Sequence, residues 1–132
     1  MTSTAKDITI QLFDNTAIKG RSENYKTVMV NTKKVLKSWR DSLFAYEWMT
    51  SDGDLKSKEA LPEKERTKRE NVEKNIHAQE PLERPVLGIG MMDNIEIGAG
   101  KAVFLTLASQ GHKQIQVHVP KSQIDEFEKF IV

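Results

Sequence analysis

The chain has no cysteine, only two tryptophans and two tyrosines, and no apolar run approaching the ~20 residues a membrane-spanning helix needs. Lack of cysteine excludes a disulfide framework, a cysteine-ligated zinc site and a thiol nucleophile. The leading MTSTAKDITI has no basic run followed by an apolar core, so a soluble cytoplasmic protein is the plain expectation. Charge of one sign is also missing: 20 basic residues meet 19 acidic ones, for a net +1. A surface built throughout for nucleic acid would be strongly basic, and this one is not.

What is present is enough for one domain. At 132 residues the chain can bury a core without metals or cross-links. Its apolar share is low, 38% against 30% charged, so part of the length must be solvated rather than packed. That part is expected at about 50–85, where charges of both signs crowd around few apolar residues. The charge balance is uneven locally. From Lys19 to Arg40 seven basic residues face one acidic residue, a sum of +6, whereas from Asp41 to Ala60 two basic face five acidic, a sum of −3.

Hydrophobic periodicity supplies the elements. Ile8, Ile10 and Leu12 alternate with polar neighbours and predict a strand over Asp7 to Phe13, closed by Asp14 and Asn15. A short strand is expected over Lys26 to Val30, then a helix from Lys33 to Met49, capped by Asn31 or Thr32. Pro62 to Ala78 has favourable i,i+4 charge pairs but only Leu61, Val72 and Ile76 as anchors, which predicts a helix lying loosely on the domain or projecting from it. VLGIGMM and IEIG flank Asp93 and Asn94 as two strands on a tight turn. KAVFLTLASQG is apolar on all sides. It suits a buried helix stopped by Gly111 better than a central strand, because Ala and Leu favour helices and glycine favours the left-handed cap. QIQVHV predicts a strand with Ile115, Val117 and Val119 inward and His118 outward. Ser122 and Asp125 resemble a capping box before a helical stripe of Ile124, Phe127 and Ile131. The class is α+β, a small mixed or antiparallel sheet with helices packed mainly on one face.

Two surfaces attract chemistry. Gly98, Gly100 and Lys101 could hold an anion, since a glycine turn opening a helix aims N–H groups at one point. The nucleotide-binding loop also wants a glycine where Ile95 stands and a hydroxyl where Ala102 stands. Tight turning and close backbone packing explain the same glycines. Gly88 and Gly90 fare no better as a dinucleotide fingerprint, because a strand and not a helix follows them. The second surface lies on the helix from Lys33. At about 100° per residue, Val35, Leu36, Trp39, Leu43 and Tyr46 share a core face, while Lys33, Lys37, Arg40, Phe44 and Trp48 share the other. Exposed rings among cations would suit a protein interface or, equally, single-stranded nucleic acid.

Other chemistry is poorly represented. His77, His112 and His118 have no metal-ligand spacing, no serine sits on a nucleophile elbow, and Asp52-Gly53-Asp54 is too short for a calcium loop. No cofactor is implied. The expected function is a small non-enzymatic accessory or regulatory module that binds a protein, a second copy included, through Phe44 and Trp48 with Lys33, Lys37 and Arg40 beside them. The alternatives are a nucleic-acid binder using the basic 19–40 segment, and an enzyme or sensor holding an anion at 98–101.

Overall fold

A computed structural model describes residues 10–132. The N-terminal strand expected at 7–13 lies partly outside them, and within them only β1, Leu12–Phe13, is extended and paired. The chain continues through β2 (Tyr25–Asn31), α1 (Thr32–Trp39), α2 (Glu63–His77), β3 (Leu82–Glu83), β4 (Leu87–Ile89), β5 (Ile95–Ile97), α3 (Lys101–Ser109), β6 (Gln114–Pro120) and α4 (Ile124–Phe127). The result is an α+β fold with three two-stranded ladders: β1 with β3 parallel, β2 with β6 antiparallel, and β4 with β5 antiparallel. A single parallel bridge from Val86 to His118 joins the last two ladders.

The β2–β6 ladder is the spine of the core. Tyr25 pairs with Pro120 and Asn31 with Gln114, so Val30, Ile115, Val117 and Val119 enter the core from adjoining positions. Alternation places Ile115, Val117 and Val119 inward, as their spacing predicts. His118 is a correction. It is only 2% exposed, because the Pro85–Val86 segment and the Asp14–Asn15 turn cover the face that alternation assigns to solvent.

The Lys101–Ser109 run is the helix its composition favours, with Val103 to Leu107 all buried. Gly111 adopts a φ of +87° beyond its end. The N–H of Gly111 donates to the Ala108 carbonyl and that of His112 to Leu107, the paired bonds of a left-handed cap, which answer carbonyls the helix leaves open.

Two other helices end earlier than their periodicity suggests. α1 stops at Trp39, not Met49. The N–H of Ser42 turns back to the Trp39 carbonyl, and the Ser42 hydroxyl donates to the Glu96 carboxylate at 2.6 Å. α4 has one turn, and Ser122 does not cap it. Gln123 instead clasps β4, its Oε1 accepting from the Ile89 N–H at 2.9 Å. Beyond α4 the chain runs antiparallel to β2, with a bridge between Val30 and Ile131, so Ile131 is no part of a helical stripe. Phe127 and Phe130 stay buried edge to face, their centroids 6.1 Å apart.

The 63–77 helix does not project. α2 packs on α3 through buried Val72 and Ile76, with buried Leu61 just before it.

Candidate functional site

The early end of α1 changes where every following side chain points. A helix continued to Met49 would keep Leu43 and Tyr46 in phase with Val35 and Trp39. After the Ser42 turn that phase is lost, and a short 3-10 turn at Ala45–Glu47 takes its place. Ala45, Trp48 and Met49 now point into the core, while Leu43 (84% exposed), Phe44 (60%) and Tyr46 (70%) point out. Two of the expected core residues are therefore surface, and one of the two expected docking rings is core.

Trp48 is fully enclosed, so it cannot face a partner. Its indole N–H donates to Glu65 Oε1 at 2.9 Å, satisfying a polar group that would otherwise be costly to bury. Glu65 is itself buried on the first turn of α2. Lys101 Nζ stands 3.4 Å from Glu65 Oε1 and 3.7 Å from Glu47 Oε1, and Lys68 lies 3.3 Å from Glu65 Oε2. Burial by itself would raise the Glu65 carboxyl. The Trp48 hydrogen bond and the two lysines outweigh it and hold the group below the usual glutamate range.

This cluster also engages the Gly98 to Lys101 turn. The turn does open a helix, but its cation is already engaged by Glu47 and Glu65. The Gly98 N–H donates to the Val86 carbonyl at 2.8 Å. Gly100 has a φ of +82°, and a Cβ there would come within 2.9 Å of Pro85 Cα. Close backbone packing thus accounts for these glycines, and the Lys101 charge and the Gly98 amide have partners within the chain.

The exposed segment from Leu43 to Tyr46 is held firmly from beneath. Ser38 Oγ accepts from the Ile95 N–H at 2.9 Å, and the Ser42 bond to Glu96 follows one turn later, so β5 anchors both ends of the α1 terminus. On the other side the Trp48 carbonyl accepts from Lys56, and Thr50 and Asp54 close a tight turn. Arg40 braces that turn. Its Nη2 donates to the Ser51 carbonyl at 2.9 Å, and its guanidinium fills the space a side chain would need at Gly53. Lys33, Lys34 and Lys37 are exposed on α1 and have no ion pair among the described residues.

A second exposed apolar group lies on the turn after β4. Met91 and Met92 form the tip of the β4–β5 turn, both exposed to solvent. Gly90, beside them, sits so close that a Cβ there would lie 2.8 Å from Glu96 Cγ. Ser42 and Gly90 thus contact one carboxylate side chain, with Leu43 and Phe44 following the first and the methionines following the second. Periodicity missed Leu43, Tyr46 and the methionines. The signal available was Asp41-Ser42, two weak helix formers directly after an arginine.

The histidines do not assemble a site. His118 accepts from the Asn15 N–H through Nε2 at 3.2 Å, and its Nδ1 lies 3.4 Å from Thr27 Oγ1. Burial, helped by the Arg84 charge and opposed by Asp14, lowers its pKa and keeps the ring neutral. Among the described residues no group of three or more His, Asp or Glu could hold a metal ion, and no helix is long and apolar enough to cross a membrane. Comparison with protein-family models, with curated proteins and with solved structures finds no match.

Proposed function

We propose that this chain is a non-enzymatic binding module that docks a protein partner on the surface formed by Leu43, Phe44 and Tyr46, with Met91 and Met92 at its margin. One observation carries this reading: three large apolar side chains stand open to water on a segment whose neighbours Ser42, Ala45 and Trp48 are buried. Scattered exposed apolar residues need no explanation, but three within four residues of a braced backbone suit a contact surface. Pre-ordering matters energetically, because a segment already fixed loses less conformational entropy when a partner arrives. Aromatic side chains contribute large contact area at low rotamer cost, and exposed methionines adapt to irregular shapes.

The nucleic-acid alternative is weaker here. It needs rings and cations in one groove, and the burial of Trp48 removes one ring while Arg40 is engaged with its own turn.

Site-specific photocross-linking in the expressing cell tests the proposal. A benzophenone amino acid at position 44 should yield discrete adducts, whereas the same group at exposed Thr67 on α2 should not. Equal labelling at the two positions, or none at 44, would remove the docking surface from consideration.

A further inference from the structure

We infer that the partner seated on this surface is a second copy of the same chain, packed face to face about a two-fold axis; this rests on the docking reading above. The ground is charge. Between Lys33 and Asp54, setting aside Arg40 and Glu47, which are engaged within the chain, the sequence carries Lys33, Lys34 and Lys37 against Asp41, Asp52 and Asp54, three of each sign. The signs are segregated: the lysines occupy the exposed side of α1, and Asp52 and Asp54 occupy the turn that Arg40 ties to the end of that helix. Among the described residues these three lysines and two aspartates form no ion pair within the chain.

A surface of this kind is its own complement. Two-fold rotation sets residue i against residue j and j against i, so the lysines of one copy would meet the aspartates of the other while the rings meet near the axis. A partner of uniform sign would match only half of it. Size points the same way, because a stable interface buries roughly 1,200 Å² or more in total. A few apolar side chains are too small for that, so the charged flanks must be included and their signs must agree. With a net charge of +1, two copies also approach without appreciable long-range repulsion.

The test uses the purified chain and sedimentation equilibrium. Wild type should dimerise, and Phe44→Ser should weaken the dimer by tenfold or more with an unchanged circular dichroism spectrum. A charge exchange then tests the orientation. Lys33→Glu with Lys37→Glu, and Asp52→Lys with Asp54→Lys, should each weaken self-association by roughly tenfold, and an equimolar mixture of the two should recover it as a mixed dimer. A wild type monomeric at every concentration, a dimer indifferent to Phe44→Ser, or a mixture that fails to recover would each overturn the inference. If purified protein stays monomeric while position 44 still cross-links to a foreign protein, self-pairing fails and the docking surface stands. Absence of any adduct at 44 ends both.

Discussion

The α2 helix and the 40–54 segment are opposites in composition and opposites again in placement. α2 is mostly charged, yet it is docked on α3 with Glu65, Val72 and Ile76 buried. The 40–54 segment holds five large apolar or aromatic side chains, Leu43, Phe44, Tyr46, Trp48 and Met49, and three of them face water. What separates them is not hydrophobicity but whether each segment finds partners for its polar groups. On α2 the buried carboxylate receives an indole N–H and a lysine, which makes its burial tolerable. In the 40–54 segment the serines on either side of Arg40 bond to β5 and Glu96, and those bonds turn the chain before its apolar side chains can follow α1 inward.

The sharpest way to break this contrast is to remove the ring the two regions share. Trp48→Ala should cost about 3–5 kcal/mol, from the cavity and from the hydrogen bond lost to Glu65. Urea unfolding measures it, and a cost under 1 kcal/mol would mean that Trp48 does not join these regions. Next in size is Glu65→Ala, expected to cost about 1–3 kcal/mol by leaving the indole N–H without its acceptor while Lys101 keeps Glu47. The same group sets an acid limit. Its folded pKa lies below its unfolded value, so its contribution is complete above the usual glutamate range and is lost as pH falls through the lower folded value. Unfolding midpoints followed downward in pH should therefore drop less steeply in Glu65→Gln than in wild type.

The smallest effect should come from the exposed side. Phe44→Ser and Leu43→Ser should each shift stability by no more than about 0.5 kcal/mol, in a sample dilute enough to be monomeric. A large loss for either would show that the side chain is structural, and the contact surface would lose its basis. The difference between Trp48 and Phe44, four residues apart and assigned to one face by helical spacing, is the quantity that matters most.

Much of the fold was legible in the residues. The β2 and β6 strands, the buried α3 with its glycine stop, and the tight turn between β4 and β5 all carry complete local patterns. The surface was only half legible. Phe44 and the lysines of α1 are exposed as expected, but Trp48, Leu43 and Tyr46 exchanged places because helical phase was carried past Trp39. His118 failed for a related reason: alternation tells which side of a strand a residue takes, not what covers that side. The pairing of Lys101 was not legible because its acidic partners are distant in sequence, Glu65 on α2 and Glu47 beyond α1.

By itself the sequence determined the α+β class, the identity of the main strands and of α3, and the exclusion of thiol and disulfide chemistry, since each depends on residues present within one short stretch or absent from the whole. Only the tertiary structure decided which rings meet water. That choice turns on a hydroxyl of Ser42 reaching a carboxylate 54 residues away and an indole of Trp48 reaching a carboxylate 17 residues away. Interactions of that span exist only once the chain has folded, and no periodicity along the chain encodes them.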